Sequence, residues 1–446
     1  MDELWTNLGP EVINISYTGS RSIIHRVIQI DFSSIYAFLT GFSTYPQPLR
    51  LRLRIFTIFF LYKQTHQTVR KGELSTIMKL VFDKADLVKS VGIAMKAVSG
   101  KTTMPILECI LIDASSNVIK FTSNDMELGI ETIVTGMILE RGIVALDAKI
   151  FSEIVRKLPD NQVTIETDEN LVTTITCEKA KFNIPGQSGE DFSYLPILET
   201  SDCVSISQFT LKELIRQTIF SIAANENNKL MTGELFEIKD NTLRVVSLDG
   251  HRIAIRRIEL KDSYPDRKVV VPGKTLNEIS KILSGEMDDQ IDIYFSENHI
   301  MFKFDDTTVV SRLIDGEYFR IDQMLSSDYE TKVTINKKEF LSCIDRATLL
   351  VKEGDKKPII IDIQDGAMEL QINSAMGSMK EEIDINKEGK DIMIGFNPKF
   401  LIDALRVIDD EEISIYLVNP KAPCFIRNEE ESYIYLILPV NFNSVR

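Results

Sequence analysis

The sequence predicts an α+β protein in which three similar domains follow one another after Met78. Three observations support this fold class. One apolar helical segment occurs three times, a second recurs at a fixed interval, and hairpin-like strand pairs lie between them. The length of 446 residues also exceeds what one ordinary hydrophobic core occupies. We therefore expect three units of the form helix, hairpin, helix, hairpin.

The first repeated helix follows a short strand-like start and carries apolar residues at helical spacing. Its three copies are FDKADLVKSVGIAMKAV (82–98), FTLKELIRQTIFSIAAN (209–225) and INKKEFLSCIDRATLLV (335–351). An acid followed by an apolar residue aligns Leu87, Leu214 and Phe340, which lie 127 and 126 residues apart.

The second repeated helix aligns without gaps in its three copies. These are DAKIFSEIVRKLPDN (147–161), PGKTLNEISKILSGE (272–286) and NPKFLIDALRVIDDE (397–411). Lys149, Lys274 and Lys399 recur at an interval of 125 residues. Start signals agree, because Asp147 and Asn397 are N-cap residue types and Pro398 suits the first helical position.

Two β-rich runs separated by a polar turn follow each helix. After the first helix the turns are predicted at 115–117, 239–241 and 365–366, and hairpin-like runs such as IDIYFSENHIMFKF follow the second. Polar or proline-bearing joints lie near 193–203 and 324–332. The predicted domains therefore span 78–198, 199–327 and 328–446.

The composition is that of a soluble globular protein, with 44% hydrophobic and 26% charged residues. Five cysteines lie far apart without a CxxC pair, which disfavours a disulfide framework or a zinc site and fits a reducing cytoplasm. We find no nucleotide-binding, nucleophile-elbow or metalloprotease motif and expect no cofactor and no metal. The net charge of −15 argues against a generally basic nucleic-acid binder.

Residues 1–77 differ in character from the rest of the chain. The largely apolar run Ile55 to Tyr62, which contains Thr57, is too short to span a bilayer. The stretch RKGELSTIMKLVFDK could encode a ribosome-binding sequence just upstream of Met78. We interpret Met78 as the natural start and 1–77 as a translated leader without packed structure.

Each copy of the second helix carries a basic residue seven positions after its lysine. The pairs are Lys149 with Arg156, Lys274 with Lys281, and Lys399 with Arg406. Two helical turns separate the members, so each pair lies on one face. A solvated helix face would explain any single pair. Its recurrence in three repeats favours sequence-independent contact with the phosphates of duplex DNA.

The segment SLDGHRI (247–253) places Asp249 beside His251 and Arg252. A hydrolase that uses Asp249 and His251 is one hypothesis, since an acid can orient a catalytic histidine. The corresponding segments of the other repeats, SND and SAM, lack histidine, although the first keeps Asp125. Asp249 is therefore interpreted as a turn former.

Residues 78 to about 440 resemble the bacterial β sliding clamp, a subunit of DNA polymerase III. The motifs that carry the resemblance are TTMPILECILI, SNDMELGIE, FSIAANENNKLMTGELFEI, SLDGHRIAI, VVVPGKTLNEI, SRLIDGEYF, IGFNPKFL and YLILPV. The resemblance implies a non-enzymatic processivity factor, a head-to-tail homodimer that closes a ring of six domains around double-stranded DNA. It also implies replicative DNA polymerase, a clamp loader and repair proteins as partners.

The resemblance implies three sets of site residues. DNA-facing residues would be Lys101, Lys149, Arg156, Asn225, Lys229, Lys274 and Lys281. A peptide-binding groove between the second and third domains would comprise Met231, Leu248, Gly250, His251, Arg252, Ile253, Phe319, Met324, Asn397, Phe400, Pro423, Leu436, Leu438, Pro439 and Val440. The subunit contact would pair Phe182 and Ile184 with Leu349 and Leu350, which ordinary core packing would also explain.

The sequence departs from the family pattern at the groove. Phe319 stands where the family usually has proline, and the chain continues past LPV as NFNSVR (441–446). Lys229 and Leu230 stand where family members can have aromatic residues. A monomeric adaptor that has the groove but forms no ring is a further hypothesis.

Overall fold

The structure, a computed structural model, describes residues 78–100, 102–198, 203–224, 228–325, 328–351 and 357–442. The leader predicted at 1–77 lies outside these residues. No helix in the described ranges is long and apolar enough to cross a lipid bilayer.

Six α-helices lie in the described residues, two in each repeat, and the two helices of a repeat pack against each other. They are α1 Lys84–Ala94, α2 Ala148–Lys157, α3 Gln208–Thr218, α4 Gly273–Ile282, α5 Lys337–Thr348 and α6 Pro398–Val407. Side-chain caps begin two of the predicted helices as expected. Asp147 accepts a hydrogen bond from the backbone N of Ile150, and Asn397 accepts one from Lys399.

The alignment of the second helices is confirmed, because α2, α4 and α6 start 125 residues apart. The alignment of the first helices is wrong by one turn. The structurally equivalent residues are Leu87, Leu211 and Phe340, each the fourth residue of its helix and buried. Leu214 is also buried, one turn later. A slip of three residues preserves the apolar face of a helix, so periodicity could not fix the alignment.

The strands of the first repeat are β1 Met78–Asp83, β2 Cys109–Asp113, β3 Ile119–Asn124, β4 Leu128–Val134, β5 Met137–Glu140, β6 Ile143–Asp147, β7 Gln162–Thr167, β8 Val172–Cys177 and β9 Ala180–Ser188. Those of the second are β10 Cys203–Ser207, β11 Gly233–Leu248, β12 Arg252–Pro272, β13 Gln290–Phe295, β14 His299–Phe304 and β15 Thr307–Arg312. Those of the third are β16 Thr331–Asn336, β17 Ile359–Gln364, β18 Ala367–Ser374, β19 Gly377–Asp384, β20 Asn386–Gly389, β21 Ile392–Phe396, β22 Glu412–Leu417, β23 Cys424–Arg427 and β24 Tyr433–Ile437.

Most predicted hairpins are antiparallel pairs of consecutive strands, namely β2–β3, β7–β8, β13–β14, β17–β18 and β22–β23. The predicted break at 239–241 differs, because it falls inside the long element β11. There the register against β12 shifts on both sides of Asp240, which has a φ of +53°. The polar triplet therefore marks a change of register, as its turn-forming residues suggest.

Strand pairing joins the three repeats. β15 of the second repeat pairs with β4 of the first, and β24 of the third pairs with the start of β12 of the second. Each joint uses the last strand of one repeat and the strand after the first hairpin-like pair of the preceding repeat. The sheets therefore continue across both joints.

Each repeat has its own buried apolar cluster, and a further cluster lies at the joint of the second and third repeats. The joint cluster combines residues of β11 and β12, such as Val246 and Ile255, with Tyr416, Phe425 and Leu436 of the third repeat. Burial on both sides therefore holds these two domains together.

Candidate functional site

The turn between β11 and β12 is shaped by Asp249 and Gly250. One carboxylate oxygen of Asp249, Oδ1, accepts hydrogen bonds from the backbone N of His251 at 3.0 Å and of Arg252 at 3.2 Å. Gly250 has a φ of +87°, which favours glycine. In the part of the chain that the structure describes, no hydrogen bond joins Asp249 to the His251 imidazole. The carboxylate therefore forms the turn, as the sequence predicted.

Arg252 is buried at the joint between the second and third domains, with 7% of its surface exposed. Its Nε contacts Asp249 Oδ2 at 3.0 Å, and its Nη1 contacts Asp403 Oδ2 on α6 at 2.7 Å. Its Nη2 donates to the carbonyl oxygen of Phe220 at 2.6 Å. The guanidinium carbon also lies 4.5 Å from the centre of the Phe400 ring. Arg252 thus does not rim an open surface; it connects two domains.

His251 is exposed, and its ring faces the third domain. The centroids of the His251 and Phe400 rings are 6.0 Å apart, at an interplanar angle of 42°. The carbonyl oxygen of His251 accepts a hydrogen bond from the backbone N of Leu438 at 2.9 Å. The turn and the segment that follows β24 therefore lie side by side.

The predicted groove residues fall into three levels of exposure around the joint cluster. The buried members are Leu248, Arg252, Ile253 and Leu436. The half-buried members are Met231, Phe319, Asn397, Phe400, Pro423, Pro439 and Val440. The exposed members are Gly250, His251, Met324 and Leu438.

Phe319 lies on the connector between the second and third domains. Its ring meets that of Tyr318 edge to face, with centroids 5.6 Å apart, and both pack on the joint cluster. A cavity of about 520 Å³ lies beside this connector, and Phe319 contributes to its lining. Phe319, which stands where the family usually has proline, is therefore packed against the joint cluster.

The first two residues of the C-terminal extension are described. Val440 N donates a hydrogen bond to the carbonyl oxygen of Gly395 at 2.8 Å. The Phe442 ring lies so close to Gly395 that a Cβ there would be 2.6 Å from it. The chain after LPV is thus held against β21, and residues 443–446 lie outside the described ranges.

The basic residues of the second helices are all exposed. Lys274 forms an ion pair with Asp125, Lys281 lies 2.7 Å from Glu278, and Arg406 lies 3.4 Å from Asp345. Among the described residues, no carboxylate lies within 4.0 Å of the charged groups of Lys149, Arg156 and Lys399. Lys229 is exposed, whereas the predicted residues Lys101 and Asn225 lie outside the described ranges.

The residues predicted for a subunit contact differ in exposure. Phe182 on β9 is 40% exposed, and Leu349 after α5 is 75% exposed. Leu350 is half-buried, and Ile184 belongs to the core of the first domain. Phe182 and Leu349 are thus the two members that leave large apolar surface uncovered.

The three parts of the chain match three successive parts of one protein family. Residues 78–196 match the DNA polymerase III beta subunit N-terminal domain, 205–319 its central domain and 322–441 its C-terminal domain. A curated protein from Staphylococcus epidermidis named beta sliding clamp is 33% identical over 375 residues, covering 82% of this chain and 99% of that protein. The chain belongs to the beta sliding clamp family.

Solved structures agree with this clamp assignment. A crystal structure described as a DNA polymerase III beta subunit from Eubacterium rectale is 71% identical, with a TM-score of 0.80. The sliding clamp of Bacillus subtilis is 35% identical, with a TM-score of 0.79. Each alignment covers 82% of this chain and 100% of the other. The prediction of three clamp domains is confirmed.

The predicted function as a DNA polymerase processivity factor is likewise confirmed by family membership. Neither the comparisons nor the Asp249 geometry favours the hydrolase hypothesis. Within the described residues, no group of three or more histidines, cysteines or acids is placed to hold a metal ion.

Sequence reasoning missed two residues of the clamp's joint, Asp403 and Phe220. A signal for Asp403 was present. Each second helix carries an acid four residues after its lysine, at Glu153, Glu278 and Asp403. Phe220 gave no signal, because it binds Arg252 through its carbonyl oxygen, which every residue type has.

Proposed function

We propose that two copies of this clamp close head to tail into a ring of six domains around duplex DNA. The observation that carries this proposal is the repeated strand pairing at the two joints. The last strand of one domain pairs with the strand after the first hairpin-like pair of the domain before it. The same rule leaves two strands for pairing between copies: β9, the last strand of the first domain, and β19, the strand after the first hairpin-like pair of the third domain.

The edges of these two strands support the proposal. β19 is the end strand of a four-stranded sheet, and residues 180–185 of β9 pair with β8 on one side. In the described residues, neither of these edges has a further partner. Exposed strand edges readily pair with another chain. In such a head-to-tail contact, β9 of each copy pairs with β19 of the other. Two copies close into a ring if the rotation between them is suitable, and form an open filament otherwise.

Side chains beside the two edges are complementary. Phe182 on β9 and Leu349 near β19 offer apolar surface that a subunit contact would bury. Exposed Lys179 precedes β9 and exposed Lys181 lies on it, while exposed Glu382 lies on β19, where Glu381 already pairs with Arg346. Opposite charges at the edges favour pairing between copies over pairing of like edges.

The groove at the joint of the second and third domains supplies the tether for polymerases in this proposal. Half-buried apolar groups around a buried floor suit a short apolar peptide, and exposed Met324 can adapt to different partners. His251 offers a polar imidazole at its edge. A clamp loader would open the ring, and repair proteins would use the same groove. The clamp itself would act without catalysing a reaction.

Primer extension tests this function. A bacterial replicative polymerase should make longer products per binding event when the clamp and a clamp loader are present. Product lengths that do not change would contradict the tethering role. Sedimentation should give twice the mass of one chain, whereas the mass of one chain would favour the monomeric adaptor.

A further inference from the structure

The lysines at the second position of α2, α4 and α6 are equivalent by sequence, but their surroundings differ. Lys274 of α4 is paired with Asp125, a residue of the preceding domain whose side chain is 6% exposed. Lys149 of α2 and Lys399 of α6 have no carboxylate within 4.0 Å in the described part of the chain. The charge at this repeat position is therefore neutralised at Lys274 and unneutralised at Lys149 and Lys399.

The turns that face these lysines explain the difference. Asp125 and Asp249 form the same turn, since each Oδ1 accepts hydrogen bonds from the backbone N atoms two and three residues later. The other carboxylate oxygen, Oδ2, is therefore the one left for a cation. In both turns this oxygen lies at the joint with the next domain.

The residue three positions after each aspartate decides which cation binds. In the second domain this residue is Arg252, whose Nε takes Asp249 Oδ2 at 3.0 Å. In the first domain it is Leu128, an apolar residue, and Asp125 Oδ2 binds Lys274 of the next domain instead. Because Arg252 neutralises Asp249, that carboxylate is not available to Lys399. Because Leu128 cannot neutralise Asp125, this carboxylate pairs with Lys274.

The corresponding turn of the third domain has no acidic residue. The corresponding turn, residues 375–376 between β18 and β19, contains Ala375 and Met376. In a head-to-tail dimer this turn would face Lys149 of the other copy. This turn would therefore offer Lys149 no carboxylate.

We propose that Lys149 and Lys399 bind DNA phosphates, and that Lys274 instead braces the joint of the first and second domains. The proposal rests on the proposed function and divides the predicted DNA-facing set. Lys399 becomes a phosphate contact, and Lys274 a residue that positions two domains. Arg156, also without a carboxylate within 4.0 Å among the described residues, extends the charge of α2 toward the duplex.

The test is the salt dependence of binding to a linear duplex with open ends, onto which a ring can thread. Each phosphate contact contributes about 0.9 to the slope of log affinity against log salt concentration. Lys149→Ala and Lys399→Ala should each lower the slope by about one contact. Lys274→Ala should leave the slope unchanged and lower the thermal unfolding midpoint, which Lys399→Ala should not.

Asp125→Asn is the matched variant, because asparagine can keep the turn while losing the charge that holds Lys274. It should raise the slope by about one contact. A Lys274→Ala slope as low as that of Lys149→Ala, with no change for Asp125→Asn, would overturn the division while leaving DNA binding intact. Slopes equal to wild type in all four variants would overturn both the division and DNA contact by these helices.

Discussion

Buried Arg252 and half-buried Asp403 form an ion pair across the joint of the second and third domains, with Nη1 and Oδ2 2.7 Å apart. The same guanidinium also neutralises Asp249 and binds the Phe220 carbonyl oxygen. Such an arrangement makes the joint and the adjacent groove depend on one side chain. It also separates the roles of two neighbours, since His251 is exposed and Arg252 is not.

Replacing Arg252 by Ala should destabilise the clamp strongly. The change leaves two carboxylates, of Asp249 and Asp403, without their cation. Since their side chains are 15% and 21% exposed, the cost should lie below the roughly 3–5 kcal/mol that is typical of a fully buried pair. Chemical denaturation should show a lower midpoint for Arg252→Ala. His251→Ala serves as the control, because an exposed side chain should change the midpoint little. Equal midpoints for the two variants would contradict the bracing role.

Replacing His251 by Ala should weaken binding of a polymerase-derived peptide about fivefold or more, the loss expected when a groove contact of about 1 kcal/mol is removed. Fluorescence anisotropy with a labelled peptide measures this affinity. Met287→Ala is a suitable control, because Met287 is exposed and lies outside the predicted groove. A His251 variant that binds like the control would exclude the imidazole from the groove.

Replacing Leu349 by Asp should dissociate the proposed dimer without unfolding the chain. The side chain is 75% exposed in one copy, so a charge there costs little until a subunit contact buries it. Sedimentation at several concentrations should show the mass of one chain, with an unchanged far-ultraviolet circular dichroism spectrum. Met287→Asp should remain dimeric. A dimer that persists in Leu349→Asp would place the subunit contact elsewhere.

Glu234 should make the stability of the second domain depend on pH. Glu234 pairs with Val271 in the sheet, and the equivalent residues of the other two repeats are Ile110 and Ile359. Glu234, Ile110 and Ile359 are all fully buried. Burial raises the pKa of Glu234 to about 8. Among the described residues, neither of its carboxylate oxygens has a hydrogen-bond partner, so nothing there compensates the buried charge.

The sign of this effect follows from proton binding. Between its usual pKa of 4.5 and about 8, Glu234 keeps its proton in the folded chain and loses it in the unfolded chain. The free energy of unfolding should therefore fall as pH rises through this window and level off above it. Glu234→Gln should flatten this part of the profile in thermal unfolding measured from pH 5 to 9. A wild-type profile that matches the variant would contradict the buried neutral carboxyl.

Much of the fold could be predicted because the repeats carry redundant local signals. The alignment of the second helices could be predicted from the caps at Asp147 and Asn397 and from the lysine interval of 125 residues. A shift of this alignment by one turn would break both patterns. The first helices could slip by one turn, because Leu211 and Leu214 are both apolar and buried. The N-cap residues Asp83, Ser207 and Asn336 carry the signal that periodicity lacks, because each lies four residues before the equivalent apolar position.

The candidate site was harder to predict than the fold, because its residues meet across domains. Arg252 is adjacent to His251 in sequence, yet one is buried and the other exposed. That difference depends on Asp403, which lies 151 residues further along the chain. The ion pair of Lys274 with Asp125 spans 149 residues in the same way. Sequence periodicity describes faces of single elements and cannot give such long-range pairs.

The most direct test of the central claim is the topology of DNA binding. The clamp is loaded onto nicked circular duplex by a clamp loader, separated from free protein by gel filtration, and the DNA is then cut once with a restriction enzyme. A ring should remain on the circle at moderate salt and leave after linearisation, because it can slide off an open end. Equal retention on circular and linear DNA would contradict a ring that encircles the duplex.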